Sequence, residues 1–113
     1  MQKIVINACH GGFGLSEKAV IRWAELKDFK LIIEDGMLCP TYYRNSVEES
    51  NYISDRDIAR DDPHLIQVVE ELGDRANDRF ARLKIVEIPD DVDWVVEEYD
   101  GLEWVAETHR TWY

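Results

Sequence analysis

Hydrophobic and polar residues follow two rhythms along this chain, one typical of helices and one typical of strands. Over residues 16–28 the apolar positions recur at helical spacing, and Ser16 can cap the start of that helix. A second helix is predicted over residues 62–73, because an Asp62-Pro63 pair followed by apolar positions at helical spacing is typical of a helix start. The sequence therefore predicts two helices.

Short apolar runs bounded by turn residues predict five strands. They cover residues 2–8, 30–34, 83–88, 94–99 and 102–107. The Asp100-Gly101 pair between the last two runs predicts a tight hairpin turn with Gly101 at a positive φ. Residues 35–62 show no sustained period, so we expect a long loop there, interrupted by short elements.

The order of these elements predicts a single α/β (α+β) domain over residues 1–113, made of a βαβ unit, a long loop, a second helix and a three-stranded antiparallel meander. A strand–helix–strand unit with short links normally forms a right-handed parallel crossover, so one mixed sheet with the helices packed on it is expected. The predicted core comprises Ile4, Ile6, Val20, Trp23, Ile32, Leu65, Val68, Val69, Leu72, Ile85 and at least one of Trp94 and Trp104.

Charge narrows the choice of partners. The net charge of −11 disfavours sequence-independent binding to the phosphates of DNA or RNA. The charge is unevenly distributed, because residues 1–33 carry +2 and residues 34–113 carry −13. A site for a small anion therefore remains possible in the first third of the chain. The sequence does not indicate an oligomeric state.

The sequence favours a cytoplasmic protein. It contains no apolar run of the roughly 20 residues that a membrane span needs, and the N-terminus lacks the pattern of a signal peptide. The two cysteines, Cys9 and Cys39, are expected to stay reduced in the cytosol. No metal-ligand spacing is present, and no metal or cofactor is expected.

The glycine segment, residues 9–16, joins the first strand to the first helix and is the leading candidate site. Unpaired backbone N–H groups and the positive end of a helix dipole favour an anion at such a junction, and phosphate is the natural candidate. The alternatives are a purely structural tight turn and a protein contact. The residues expected to form the floor of the site are Gly11, Gly12, Phe13, Gly14, Leu15 and Ser16.

Arginines are expected to close over this floor. Arg44, Arg56 and Arg60 lie in the predicted loop beside several tyrosines, a combination suited to binding a phosphate and stacking on a base. Arg110 is the fourth candidate. The alternative is that these arginines pair with nearby acids and have no binding role.

Most of the chain carries a resemblance to a known group. Its opening, KIVINACHGGFGLS over residues 3–16, resembles that of an uncharacterised family of small proteins encoded by phages and prophages. The resemblance implies an accessory factor acting on the host, for example in counter-defence, and it supplies no catalytic residues. It extends through Arg60-Asp61-Asp62-Pro63, Glu87-Ile88-Pro89, Tyr99-Asp100-Gly101 and His109-Arg110-Thr111-Trp112.

Three functions follow from these observations. The first is a protein that binds a nucleotide or another phosphate-bearing small molecule at the glycine segment and sequesters it. The second is an acidic inhibitor of a basic host protein, such as a defence protein. The third is a small enzyme that uses Cys9, which is the weakest because spacing assembles no nucleophile, base and orienting group.

Overall fold

The computed structural model describes residues 1–36 and 40–108. The helices are α1 (Glu17–Lys27) and α2 (Pro63–Leu72), and short 3-10 turns cover Glu49–Asn51, Asp55–Asp57 and Gly73–Ala76. The strands are β1 (Gln2–Asn7), β2 (Leu31–Glu34), β3 (Thr41–Arg44), β4 (Tyr52–Ile53), β5 (Leu83–Ile88), β6 (Trp94–Tyr99) and β7 (Leu102–Glu107). The predicted mixture of helices and strands, the α+β class, is confirmed.

Both helices begin at the capping residues that the sequence indicates. The Ser16 hydroxyl accepts a hydrogen bond from the Ala19 N–H (3.1 Å), and Asp62 accepts one from the His64 N–H (2.9 Å). These bonds satisfy N–H groups that have no acceptor within the helix. No helix within residues 1–36 and 40–108 has the length and apolar character needed to cross a membrane.

The Asp62 carboxylate also connects the two helices. It accepts a hydrogen bond from Trp23 Nε1 (3.3 Å) and forms an ion pair with Lys27 Nζ (2.9 Å), both on α1. Burial opposes ionisation of this carboxyl, but the hydrogen bonds from Lys27, from the His64 N–H and from Trp23 outweigh burial and lower the pKa of Asp62 below its ordinary value. The cap is therefore held in its charged form.

The strand pairing differs from the prediction. β1 pairs antiparallel with β5, and β2 pairs antiparallel with β3, so the parallel βαβ crossover is wrong. The strands form three small antiparallel sheets, β1-β5, β2-β3-β4 and β6-β7, instead of one mixed sheet. β2 cannot join β1, because β5 occupies one edge of β1 and the Val5 N–H on the other edge donates to the Arg60 carbonyl (2.8 Å).

The predicted meander over residues 83–107 is also wrong, since β5 leaves it to pair with β1 and only the β6-β7 hairpin remains. A three-stranded meander exists elsewhere, built from β2 and from residues expected to form a loop. In this meander, Tyr42 lies opposite Ile33 and Tyr43 lies opposite Ile32. The strand that pairs with β2 is therefore rich in aromatic residues. The short elements anticipated in this loop are therefore strands and 3-10 turns.

The turn of the β6-β7 hairpin, in contrast, is as predicted. Asp100 has φ 50° and Gly101 has φ 88°, the two positive values that a two-residue turn matching strand twist requires. The register places Tyr99 opposite Leu102, directly beside the turn.

The core lies between the two helices, β1 and the glycine segment. Seven predicted core residues are buried: Ile4, Ile6, Val20, Trp23, Leu65, Val68 and Val69. Ile32, Leu72 and Ile85 are only partly buried. Neither tryptophan of the hairpin is buried, because Trp94 donates to Gln2 Oε1 (3.0 Å) at the margin of the body and Trp104 is 40% exposed. Phe13, Leu15 and Ile58, absent from the predicted core, are buried in it.

Candidate functional site

The glycine segment is a packing junction between three parts of the chain. A Cβ on Gly11 would overlap the Phe80 carbonyl, and a Cβ on Gly14 would overlap the Asp78 carboxylate. These two glycines therefore permit a close approach by residues 77–82, whose Asp78 N–H donates to the Gly14 carbonyl (3.4 Å). The structural alternative weighed for the glycine segment thus has specific contacts to support it.

The hairpin turn contacts the same segment from another side. A Cβ on Gly101 would overlap the His10 carbonyl and lie 2.7 Å from the Gly12 nitrogen. The Asn7 side chain, which is fully buried, bridges the two turns by donating to the Cys9 carbonyl (2.6 Å) and the Gly101 carbonyl (2.8 Å). This buried amide fixes the glycine segment against the hairpin.

Protein groups already occupy two of the N–H donors that were expected to meet an anion. The Leu15 N–H donates to Asp55 Oδ2 (2.9 Å), and the Ser16 N–H donates to the Ala76 carbonyl (2.9 Å). The Ser16 hydroxyl additionally bonds the Arg75 carbonyl (2.6 Å). A carboxylate thus lies where the prediction places a phosphate, so a ligand anion has to be held chiefly by side chains.

Arg60 is committed to a buried ion pair. Its guanidinium donates to both carboxylate oxygens of Glu103 (2.5 and 2.8 Å), and it stacks 3.7 Å from the centre of the Phe13 ring. The Glu103 side chain is 6% exposed and also accepts the Asn7 N–H (2.8 Å). Arg60 therefore joins the hairpin to the body and does not face the cleft described next.

The remaining predicted arginines lie apart from one another. Arg44 stacks on Phe29, 4.9 Å from the ring centre, beside a second depression on the other side of Tyr52. Arg110 lies outside the described residues. Arg56 lies above Gly12, where a Cβ would be 4.0 Å from its Nη2. Of the three candidates within the described residues, Arg56 and Arg60 both lie beside the glycine segment, but only Arg56 is free of a carboxylate partner there.

A cleft of about 620 Å³ opens beside the glycine segment. Phe13, Leu15 and Ile53 form apolar walls, while Tyr52 and Phe80 are 56% and 63% exposed along it. Its volume lies within the range of small-molecule sites, which combine apolar walls with a few polar groups. Ser16 and Arg56, which were predicted to form the site, also line this cleft, as does Tyr42.

The cleft is less acidic than the chain as a whole. Its charged residues are Glu17, Asp55, Asp78, Arg56 and Arg79. Two of the carboxylates are engaged by backbone donors, since Asp55 accepts the Leu15 N–H and Asp78 accepts the N–H groups of Phe80 and Ala81. Within residues 1–36 and 40–108, neither arginine of the cleft has a carboxylate partner. Both guanidinium groups are available to an anion.

Cys9 lacks the surroundings of an activated nucleophile in the described part of the chain. Its Sγ lies 3.0 Å from the Phe80 carbonyl oxygen and 3.4 Å from Asn7 Oδ1, and neither group is a general base. The neighbouring His10 turns away, with Nδ1 3.2 Å from the Asp100 carbonyl oxygen. No cluster of three or more His, Cys, Asp or Glu side chains able to hold a metal ion occurs among the described residues.

Sequence reasoning missed Arg79 and Phe80 as parts of the cleft. They follow α2 in a polar linker, and only the exposed aromatic residue in that linker gives a local signal. Their position depends on the contacts of Gly11 and Gly14 with residues 78–80, which no local pattern reveals.

Comparisons with protein-family models, curated proteins and solved structures gave no match. The function is therefore argued from this geometry.

Proposed function

We propose that this protein binds a phosphate-bearing small molecule with an aromatic ring, such as a nucleotide, in the cleft beside the glycine segment. It sequesters the ligand inside a host cell, as a phage-type counter-defence factor would, and performs no chemistry on it. The observation that carries the proposal is the cleft itself, with exposed aromatic rings and unpaired arginines on its walls.

The aromatic residues support a flat ligand. Tyr52 and Phe80 expose more than half of their surfaces, although large aromatic side chains usually gain by burial. A nucleobase stacked on either ring would remove apolar surface from water, and such stacking tolerates any base because every base has a π face. Phe13 and Leu15, which are almost completely buried, also line the cleft and add to its apolar surface.

The arginines support an anionic group on that ligand. Arg56 and Arg79 are the two arginines that line the cleft, and neither has a carboxylate partner in the described structure. The same holds for Arg44, Arg75 and Arg82, so the position in the cleft is what distinguishes Arg56 and Arg79. Guanidinium groups bind phosphate by paired, charge-assisted hydrogen bonds. The proposal therefore assigns the phosphate to Arg56 and Arg79 and retains the glycine segment as a wall.

Calorimetric titration tests this assignment with ATP, AMP, adenosine and inorganic phosphate as probes. We expect ATP to bind, and Arg56→Gln to weaken ATP by about tenfold or more, as loss of a charge-assisted hydrogen bond does, while leaving adenosine unchanged. Phe80→Ser should weaken both ATP and adenosine. Arg44→Gln is the matched control, because it removes an exposed arginine from outside the cleft.

Two results would overturn the proposal. One is the absence of ATP, AMP and adenosine binding at millimolar concentration. The other is an equal loss of ATP affinity in Arg44→Gln and Arg56→Gln, which would indicate a general charge effect instead of a site.

A second candidate function is favoured by the charge of residues 85–108. Residues 85–108 contain nine Asp and Glu residues and no Lys or Arg. Such a surface favours a basic partner and raises the rate of encounter with it. Under this proposal, the protein is an acidic inhibitor of a basic host protein.

A further inference from the structure

The β6-β7 hairpin has one face that points away from the body of the protein. Its inward face carries Glu103, buried against Arg60 and Asn7, together with the half-buried Val96 and Val105. Opposite residues of an antiparallel pair share a face, so the outward face follows from the register. This outer face comprises Val95, Glu97, Tyr99, Leu102, Trp104 and Ala106.

The outer face is largely apolar, and four of its six residues are exposed while Leu102 and Ala106 are partly buried. Tyr99, Trp104 and Val95 are 71%, 40% and 42% exposed, and Glu97 is the single charged residue among the six. Tyrosine and tryptophan are the residue types enriched at the energetic centres of protein interfaces. Exposed aromatic residues grouped on one face, instead of scattered singly, mark an interaction surface.

The strand order leaves β6 accessible along its edge as well. β7 lies next to β1, while β6 has β7 as its one strand neighbour among the described residues. The far edge of β6 therefore carries backbone N–H and C=O groups that an extended segment of another chain can pair with. The exposed face and the open edge belong to the same strand.

The negative charge of the hairpin indicates which kind of partner would bind to its outer face. Glu97 lies on the outer face, the exposed Asp100 lies at the turn beside it, and residues 85–108 contain no Lys or Arg. Two copies of this chain joined through the hairpin would bring two such surfaces together, and like charges at close range disfavour that contact. A basic segment would instead meet opposite charge at the rim and apolar surface at the centre.

We propose that the outer face and the free edge of β6 form the docking surface for an extended, basic segment of another protein that carries apolar anchor residues. This inference rests on the second candidate function, whose contact surface it specifies, and does not depend on the cleft. Tyr99 and Trp104 receive the anchors, and the exposed carboxylates of Glu97 and Asp100 hold the basic side chains.

The test uses three fluorescein-labelled peptides and fluorescence anisotropy with the full chain. The probe is Lys-Val-Lys-Phe-Lys-Val-Lys, and Lys-Ser-Lys-Gly-Lys-Ser-Lys has the same charge without the anchors. Glu-Val-Glu-Phe-Glu-Val-Glu has the anchors with the opposite charge. We expect the first peptide to bind clearly more tightly than either of the others.

Variants locate the binding site. Tyr99→Ser combined with Trp104→Thr should weaken the first peptide by about tenfold or more, as removal of interface anchors does. Phe80→Ser, which removes an exposed aromatic residue from the cleft, should leave peptide binding unchanged. Glu97→Gln should weaken binding by a few-fold and flatten its dependence on salt concentration.

Different failures lead to different conclusions. Binding of the first peptide that survives Tyr99→Ser with Trp104→Thr would overturn the docking surface while leaving the acidic inhibitor intact. Absence of binding by both basic peptides at millimolar concentration would overturn the two together. Concentration-dependent dimerisation that Tyr99→Ser abolishes would identify a second copy as the occupant and also overturn this proposal.

Discussion

The body of the protein and its C-terminal hairpin are held in place by different forces. In the body, Ile4, Val5 and Leu65 have no exposed surface and pack among apolar neighbours. In the hairpin, residues 94–107 are all described, and the one buried member is a charged residue, Glu103. Apolar burial therefore holds the body together, whereas hydrogen bonds and an ion pair attach the hairpin.

The attachment depends on two amides at opposite ends of β1. Gln2 donates to the carbonyls of Pro89 and Val92 and accepts the Trp94 Nε1–H. Asn7 bonds the Gly101 carbonyl at the other end. Apolar packing is non-directional, but such bonds require particular atoms at particular positions. The comparison teaches that a few polar atoms set the placement of the hairpin, and therefore which of its faces remains exposed.

The largest effect is expected from Glu103→Ala. It leaves the Arg60 guanidinium without its partner and the Asn7 N–H without an acceptor, and breaking a buried pair in this way costs about 3–5 kcal/mol of unfolding free energy. Urea denaturation measures this loss of unfolding free energy. Glu97→Ala, on the exposed side of the same hairpin, is the control. A loss no greater than that of Glu97→Ala would show that the hairpin does not depend on the ion pair.

Leu65→Ala tests the body in the same assay. Leu65 is fully buried on α2, so its truncation leaves a cavity and should cost about 2–5 kcal/mol. Ile66, partly buried beside it, is a useful contrast, and Ile66→Ala should cost less. Equal losses at the two positions would contradict the apolar description of the body.

Gly101→Ala tests the contact between the hairpin turn and the glycine segment. The variant has to adopt φ 88° and displace the His10 carbonyl, so we expect a loss of about 1–3 kcal/mol in the thermal unfolding assay. Gly12→Ala provides the matched control, because Gly12 has φ 92° with no atom closer than 4.0 Å to the added Cβ. If the two variants are equally stable, the close approach of the turns contributes nothing.

The smallest effect is expected at Asp62, a polar contact within the apolar body. Its pKa is lowered on folding, so its charge stabilises the protein above the unfolded pKa of about 3.9, and this contribution is lost as the pH falls through the lowered pKa. Asp62→Asn keeps the cap acceptor and removes the charge, which should cost about 1 kcal/mol at pH 7.

The measurement for Asp62 is the unfolding free energy at pH 7 and at pH 3. The difference between these two values should shrink in Asp62→Asn, while Asp61→Asn, at an exposed neighbouring position, should behave as wild type. An unchanged pH dependence in Asp62→Asn would place the acid sensitivity elsewhere.

Local chemistry accounts for what the sequence could predict. Ser16 and Asp62-Pro63 specify helix starts, and Asp100-Gly101 specifies a turn, because each acts on backbone groups only a few residues away. Strand pairing is different, since the partner of β1 lies in residues 83–88 and nothing in Ile4-Val5-Ile6 distinguishes β5 from β2.

The candidate site could not be predicted from the sequence either, because it also depends on contacts between residues far apart in the chain. Arg60 and Arg56 look equivalent in the sequence, yet one meets Glu103 across the fold and the other lines the cleft. The glycines indicated a close approach, but the approaching groups, Phe80 and Asp78, come from a distant linker. The sequence predicted that something contacts the glycine segment and left open whether a ligand or the chain itself does so.

The position of β1 also determines when the protein can fold during its synthesis. The partners of β1 are synthesised much later than β1 itself, since Asn7 pairs with Leu83 and the acceptor of its N–H, Glu103, lies 96 positions further along the chain. Ribosomes add roughly 5–20 residues per second, so this strand stays unpaired for on the order of 5–20 s. The nascent chain can form α1, α2 and the β2-β3-β4 sheet in that time, but the β1-β5 sheet closes only after residues 83–88 have emerged. We expect this long-range closure, which is slower than helix formation, to limit the folding rate.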